Sequence, residues 1–335
     1  MRAKLREIAK NAIVKSTEQV ELSKYSNSIY SKIYKSGMQL LIDKKFPLQI
    51  NLELSRACNY DCPFCARTEA EKGTHIDVEL AKKIIDEANE KAKVTVFALH
   101  MWGEPLLNPK WYEIVSYIKT SNPRNGITLT TNGFLLNSKN RQLIVDAKID
   151  QIIVSLHTIN AEEYKVRVGK DIDVEFVISN MLELAKELSS DQSLICRLFD
   201  TVDEQKKYET RLDDLRSAGI VIENDHYDNS AGLRSDWSST ESNSKRWPCY
   251  HPWLTTTITV HGDVSICCVD AKMDLKIGSV NKDTLEEIWQ SELVEEMRDE
   301  HLSGKFTNVC KACEGCDTWS TKPDFFFNFQ KKNRP

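Results

Sequence analysis

Within "ELSRACNYDCPFCARTE", residues 53–69, three cysteines stand at C-x3-C-x2-C spacing: Cys58, Cys62 and Cys65. Thiols this close hold a metal, join in a disulfide, or lie buried as small apolar groups. Zinc is one reading, since C-x2-C is a common half-site, but this half of the chain offers no second pair to close a tetrahedron. A [4Fe–4S] cluster held by three thiolates keeps its fourth iron open to an exogenous ligand. The chain has ten cysteines. Cys249, Cys267, Cys268, Cys310, Cys313 and Cys316 form a second group near the end, and Cys196 stands alone. In a large cytosolic chain, clustered cysteines point to metal or redox chemistry rather than a disulfide framework.

The elements around the first group place it where chemistry is done. "PLQINLEL", "VTVFALHM", "GITLTT", "DQIIVSLH", "SLICRLFD" and "IVIEN" read as six strands. They alternate with helices: "DVELAKKIIDEANEKA", "PKWYEIVSYIKT" opened by Pro109, "NSKNRQLIVDAK" capped by Asn137 or Ser138, "DVEFVISNMLELAKEL", and "EQKKYETRLDDLRSAG" closed by Gly219. Such alternation predicts an α/β fold with a parallel sheet, open or curved into a partial barrel. Functional groups then gather at the C-terminal ends of the strands. The three-cysteine loop follows the first strand directly.

Four segments are expected. Residues 1–45 read as a basic, helical N-terminal extension, and 46–224 as the α/β body. Residues 225–246, rich in Ser, Asn and Asp, read as a linker. In 247–335, "WLTTTITV" and "DVSICC" predict a hairpin turning at His261-Gly262, followed by one helix, "TLEEIWQSELVEEMRDEHL", the cysteines of "CKACEGC" and an aromatic tail. A formal charge of −5 argues against an electrostatic nucleic-acid partner. No apolar run suits a membrane span, no signal-peptide core opens the chain, and a cytoplasmic location is expected.

"CNYDCPFC" resembles the C-x3-C-x-Φ-C signature of radical S-adenosylmethionine (SAM) enzymes, with Phe64 as the aromatic. "MWGEP" after the second strand resembles that family's GGEP element, carried here by Gly103, Glu104 and Pro105, with Trp102 replacing the first glycine. "TTNG" after the third strand, with Thr131 and Asn132, resembles the ribose-side element. In "VSLHT" Ser155 is retained from a common S-x-D, and His157 replaces the acid. Arg167 matches an arginine that often pairs with the SAM carboxylate. The resemblance covers roughly residues 48–200 and implies a (β/α)6 partial barrel of the TIM-like type. It also implies a SAM-binding [4Fe–4S] cluster on Cys58, Cys62 and Cys65, and reductive cleavage of SAM to a 5′-deoxyadenosyl radical. That radical abstracts hydrogen from an unactivated carbon, and a reductant such as flavodoxin or ferredoxin supplies the electron.

The second cysteine group resembles the auxiliary-cluster domain of these enzymes, called SPASM or, when shorter, twitch. The likeness implies one auxiliary [4Fe–4S] cluster on Cys249, Cys267 and two of Cys310, Cys313 and Cys316; a structural zinc site could use the same ligands. Cys268 is then a candidate hydrogen donor, and Cys196 a buried small residue. The expected activity is oxidation of a small polar molecule such as a sugar or aminocyclitol, with the auxiliary cluster taking an electron. Peptide modification, including epimerisation, and a non-enzymatic iron–sulfur carrier or sensor are the competing readings. Only about 45 residues precede the barrel, without the strand pattern of a leader-binding winged helix. Arg197, Asp200, His226, Tyr227 and Asp236 are candidate substrate contacts near the barrel mouth.

Overall fold

A computed structural model describes residues 45–67, 73–225, 227 and 248–306. The N-terminal extension, most of the linker, and Cys310, Cys313 and Cys316 lie outside the described residues.

Six parallel strands run in chain order: β1 (Gln49–Leu52), β2 (Val96–Leu99), β3 (Gly126–Thr131), β4 (Gln151–His157), β5 (Ser193–Leu198) and β6 (Val221–Asn224). The longer helices between them are α1 (Val78–Lys91), α2 (Trp111–Ser121), α3 (Ser138–Asp146), α4 (Ala161–Val168), α5 (Val174–Glu187) and α6 (Glu209–Ser217). Sequential parallel neighbours joined by helices make the curved sheet of a partial TIM-like barrel. Asn137 caps α3 by accepting from Asn140 N. Pro109 does not open α2; it lies two residues ahead of Trp111, and Pro105 starts a separate 3-10 turn instead. α4, absent from the sequence reading, is capped by Asn160 and stopped by Gly169 in the left-handed region.

Alternation along the strands divides the sheet into two unlike faces. Ile50, Leu52, Phe97, Leu99, Ile127, Leu129, Ile152, Val154, Leu194 and Cys196 join Ile84, Ile114, Ile144, Ile178 and Leu212 of the helices in one apolar core. The other face is concave and carries Gln49, Asn51, Thr128, Thr130, Gln151, Ser155, Ser193 and Arg197, interrupted by Val96, Ala98, Ile153 and Ile195.

The C-terminal strands belong to the same sheet. β7 (Thr255–Ile258) pairs parallel with β1, and β8 (Asp263–Ser265) and β9 (Lys276–Ser279) follow antiparallel, in the order β6-β5-β4-β3-β2-β1-β7-β8-β9. The hairpin turn falls at His261-Gly262 as expected. β9 has no clear pattern in the sequence, and Trp253 and Leu254, expected to begin the strand, instead end a helical turn, His251–Leu254. The single helix expected after it is two, α7 (Leu285–Trp289) and α8 (Glu292–Ser303). A Thr284/Glu287 capping box starts the first, and Ser291 sits at the N-cap of the second.

Candidate active site

Cys58, Cys62 and Cys65 line a cavity of about 230 Å³ together with Tyr60, Asp61, Pro63 and Arg67. All three thiols are half-buried, and no disulfide links the described cysteines. Burial, followed by repulsion from neighbouring thiols, pushes Cys62 well above the ordinary thiol range, and burial also raises Cys58. Arg67 opposes this at both sulfurs, held in place by Tyr60 O and Asp61 Oδ1. Tyr60 N donates to Cys58 Sγ at 3.5 Å, and Asn132 Nδ2 reaches it at 3.9 Å. Among the described residues, no three His, Cys, Asp or Glu side chains converge on a single metal ion. The loop rests on the end of α4: Asp61 N donates to Val168 O, and a Cβ on Gly169 would lie 2.2 Å from Asp61 O.

The loops after β2 and β3 close against this one. A Cβ on Gly103 would lie 2.2 Å from Ser55 O and 2.6 Å from Ala57 O, so glycine lets the two backbones touch. Glu104 N donates to Ala57 O at 2.8 Å. The Glu104 carboxylate is buried; it accepts from Thr131 Oγ1 and Asn132 N, both at 2.8 Å, and caps the Pro105 turn through Leu106 N. Burial raises its pKa to about 7 despite these three donors. Asn132 Nδ2 also donates to Asn59 Oδ1 at 2.8 Å, while Asn59 Nδ2 is buried with no acceptor among the described residues.

At the end of β4, His157 takes a positive φ of 67°. Its ring packs against Phe64 and Phe199, with centroids 5.1 and 5.0 Å away, and Tyr227 stacks on Phe199 at 4.6 Å. Burial, then the charges of Arg167 and Arg197, lower the His157 pKa to about 3, and its Nδ1 is buried without a hydrogen bond. Ser155 lies on the concave face two residues earlier. Arg167 is already engaged: it donates to His157 O and Glu163, and Nη1 lies 2.9 Å from Asp200 Oδ1. That last contact is an ion pair by distance without hydrogen-bond alignment. Asp200, read from sequence as a substrate contact, is thus a buried partner of Arg167.

The concave face carries groups that sequence reasoning missed. His100 Nε2 lies 3.2 Å from Asn51 Oδ1, which also accepts from Gln49 Nε2; Asn51 Nδ2 donates to Thr257 Oγ1. With Asn51 Oδ1 as acceptor, His100 carries its proton on Nε2 and leaves Nδ1 as a lone-pair acceptor. Burial, then Arg197, lower its pKa to about 4, so it is neutral near pH 7. Arg197, by contrast, was expected from the sequence as a substrate contact; it pairs with Glu223 and Asp225. Thr128 Oγ1 and Gln151 Oε1 are buried on this face without partners among the described residues. Glu53, which holds Arg56, was also missed; its partners are far apart in the chain, so no local pattern marks it. His226 and Asp236 lie outside the described residues.

In the second group, Cys249 is buried and its N–H meets His301 Nδ1 at 3.4 Å; Cys267 N reaches Ser265 Oγ at 3.3 Å. Cys268 Sγ lies 3.8 Å from His251 Nε2. Buried Arg298 ties α8 to Pro252 O, fixing the turn that follows Cys249. Cys196 sits in the apolar core, its thiol pushed up to about 12 by burial.

A family model of the radical SAM superfamily matches residues 52–201, and one of an iron–sulfur cluster-binding domain, SPASM, matches residues 249–317. A probable GTP 3′,8-cyclase of Methanococcus maripaludis is 34% identical over 129 residues, covering 36% of this chain and 41% of that protein. Its counterpart in Metallosphaera sedula is 35% identical over 132 residues, covering 37% and 39%. The matches thus span about two fifths of the length of these curated relatives. The fold is similar to BtrN in complex with AdoMet and 2-DOIA, with TM-score 0.58, 18% identity and 83% and 97% of the two chains covered. Streptococcus suis SuiB bound to precursor peptide SuiA gives TM-score 0.61 at 14% identity, covering 86% and 74%. Native anSMEcpe with bound AdoMet gives 0.58 at 13%, covering 85% and 96%. The chain belongs to the radical SAM superfamily, with a [4Fe–4S] cluster and SAM as its cofactors and a C-terminal SPASM domain for auxiliary iron–sulfur.

Proposed function

We propose that this chain oxidises an alcohol carbon of a small polar molecule held on the concave face of the barrel. The observation that carries this reading is the polarity of that face. Toward the C-terminal ends of the strands, from which the three-cysteine loop leaves the sheet, it presents His100, Asn51 and Arg197; deeper along the strands, Thr128 Oγ1 and Gln151 Oε1 have no hydrogen-bond partner among the described residues.

Cys58, Cys62 and Cys65 are assigned as the ligands of the first cluster, and their surroundings suit one. The three thiols do not converge on one ion, and in a cubane each thiolate takes its own iron. Burial first, and then mutual repulsion, raises Cys62; the positive charge of iron in a bound cluster would offset both and hold the thiolate deprotonated. When bound, the cluster and SAM supply a carbon radical able to take hydrogen from an unactivated C–H bond. Gly103 lets the loop after β2 approach, and Glu104 offers a buried carboxylate to the methionine ammonium. Asn132, Ser155 and His157 face the nucleoside side, with Phe64 and Pro105 shaping the walls. Arg167 orients His157 through its carbonyl rather than standing ready for the SAM carboxylate. His100 accepts the hydroxyl proton at Nδ1 while Asn51 holds its tautomer. Cys249 and Cys267, with two of Cys310, Cys313 and Cys316, would hold the auxiliary cluster, which would accept the electron lost by the substrate.

Anaerobic reconstitution with SAM and dithionite tests this. Two cubanes require about eight irons per chain, with 5′-deoxyadenosine formed and the product lighter by two hydrogens. Iron near four with one zinc would remove the auxiliary cluster as electron acceptor. The identity to GTP 3′,8-cyclases favours a second reading, a purine nucleotide substrate, and turnover of GTP would select it. A peptide product gaining one deuterium from heavy water would mark epimerisation instead.

A further inference from the structure

We propose that Glu53 is the joint that registers the three-cysteine loop against the C-terminal hairpin, so that SAM binding in the barrel depends on contact with the auxiliary-cluster domain. The inference rests on the assignment of Cys58, Cys62 and Cys65 as cluster ligands.

Glu53 follows β1 and is fully buried. Arg56 Nε donates to its two carboxylate oxygens at 3.1 and 3.0 Å, and Val260 N donates to Oε2 at 3.0 Å. The backbone N–H of Trp102 is a further donor. These partners come from three segments that carry the site. Arg56 lies two residues before Cys58, Trp102 adjoins Gly103, and Val260 lies in the turn between β7 and β8 ahead of Cys267. Glu53 N donates to Ile258 O at 2.9 Å, so both ends of the residue hold the C-terminal strands.

Stability alone does not explain a carboxylate here. Its desolvation opposes its charge, and a buried ion pair is often matched or bettered by apolar residues of similar volume. An apolar side chain would fill the space but would fix none of the three backbones. Their relative placement is what the close approach of Gly103 to Ser55 and Ala57 demands.

The test compares wild type, Glu53→Gln and the double variant Glu53→Gln/Arg56→Met, all as reconstituted full-length protein. Glu53→Gln takes the buried carboxylate away from Arg56 and loses thermal stability; the double variant removes both charges of the pair and recovers at least part of the midpoint. Iron content, SAM affinity by equilibrium dialysis, and the change that SAM makes in the EPR spectrum of the reduced first cluster are then measured. Outer-shell partners of metal sites are worth about 10–100-fold. SAM is therefore expected to bind at least tenfold more weakly to both variants, with the spectral change diminished in both, at wild-type iron. If the double variant recovers SAM affinity along with its midpoint, Glu53 is only structural and the proposal is overturned. Cys58→Ala serves as a separate check: if it retains wild-type iron, the ligand assignment fails whatever Glu53 does.

Discussion

Replacing Gly103 by Ala is the sharpest steric test of the site. Its φ lies outside the left-handed region, so alanine brings no backbone penalty. The new methyl meets Ser55 O at 2.2 Å, Ala57 O at 2.6 Å and Arg56 C at 2.8 Å, all backbone. Ordinary contact begins near 3.4 Å, so one loop must move by about an ångström. Overpacking of this kind costs about 1–3 kcal/mol. The functional cost is larger, because the moving parts are the chain just before Cys58 and the residue just before Glu104. A misplacement of about 1 Å costs on the order of 100-fold in rate. The expected result is a modest fall in the thermal midpoint, iron retained, and 5′-deoxyadenosine formation from SAM and dithionite reduced about 100-fold. Gly219→Ala is the control: its φ is +83° with nothing within 4 Å, so it strains the backbone without touching the site. Wild-type SAM cleavage in Gly103→Ala, or equal losses in the two variants, would refute the reasoning.

The other expectations follow from burial and from particular hydrogen bonds. Glu104 has a folded pKa of about 7 against 4.5, so the unfolded chain ionises first. Without cofactors, this group therefore costs stability as pH rises from about 4.5 to 7, by roughly 3 kcal/mol. Urea unfolding of the cofactor-free protein should show that loss in wild type and not in Glu104→Gln. Nitrogen-15 NMR of labelled histidine should find His100 neutral with its proton on Nε2 down to about pH 5, and Asn51→Leu should mix its tautomers. A proton on Nδ1 in wild type would withdraw His100 as the acceptor. Cys196→Ala should lower stability by about 1 kcal/mol through lost packing and leave iron content unchanged; loss of iron would contradict its place in the core.

The sheet and the order of the loops were legible because they are written locally. Strand period, helix period and C-x3-C-x2-C each occupy a few adjacent residues, and "GEP", "TTNG" and Ser155 fall at successive strand ends. What escaped depends on partners distant in the chain. The Asn51–Thr257 bond joins residues 206 positions apart, and the Glu53–Val260 bond 207. Neither has a motif, and each side chain alone is an ordinary strand-end polar residue. Arg167 was found, but not its engagement with His157 O, which depends on a positive φ at a histidine that no residue type announces. The capping box at Thr284 was present in the sequence; the division of the helix it starts was hidden by an unbroken helical composition through Gln290 and Ser291.

The continuity of the sheet gives the two cysteine groups a common frame. β1 pairs with β2 on one side and β7 on the other, so the three-cysteine loop leaves the sheet between the Gly103 loop and the C-terminal hairpin. A six-stranded partial barrel would leave β1 as an edge with unpaired N–H and C=O groups beside its reactive loop. β7 satisfies that edge from Leu48 N to Leu254 O through Glu53 N to Ile258 O. The same pairing carries the backbone from β7 through the turn at Gly262 and back along β8 to Cys267. The strand that covers the edge and the route to the second group are therefore one piece of chain. Strand pairing thus fixes Cys267 relative to the three-cysteine loop. A fixed spacing of this kind is what the proposed electron transfer to the second group would need.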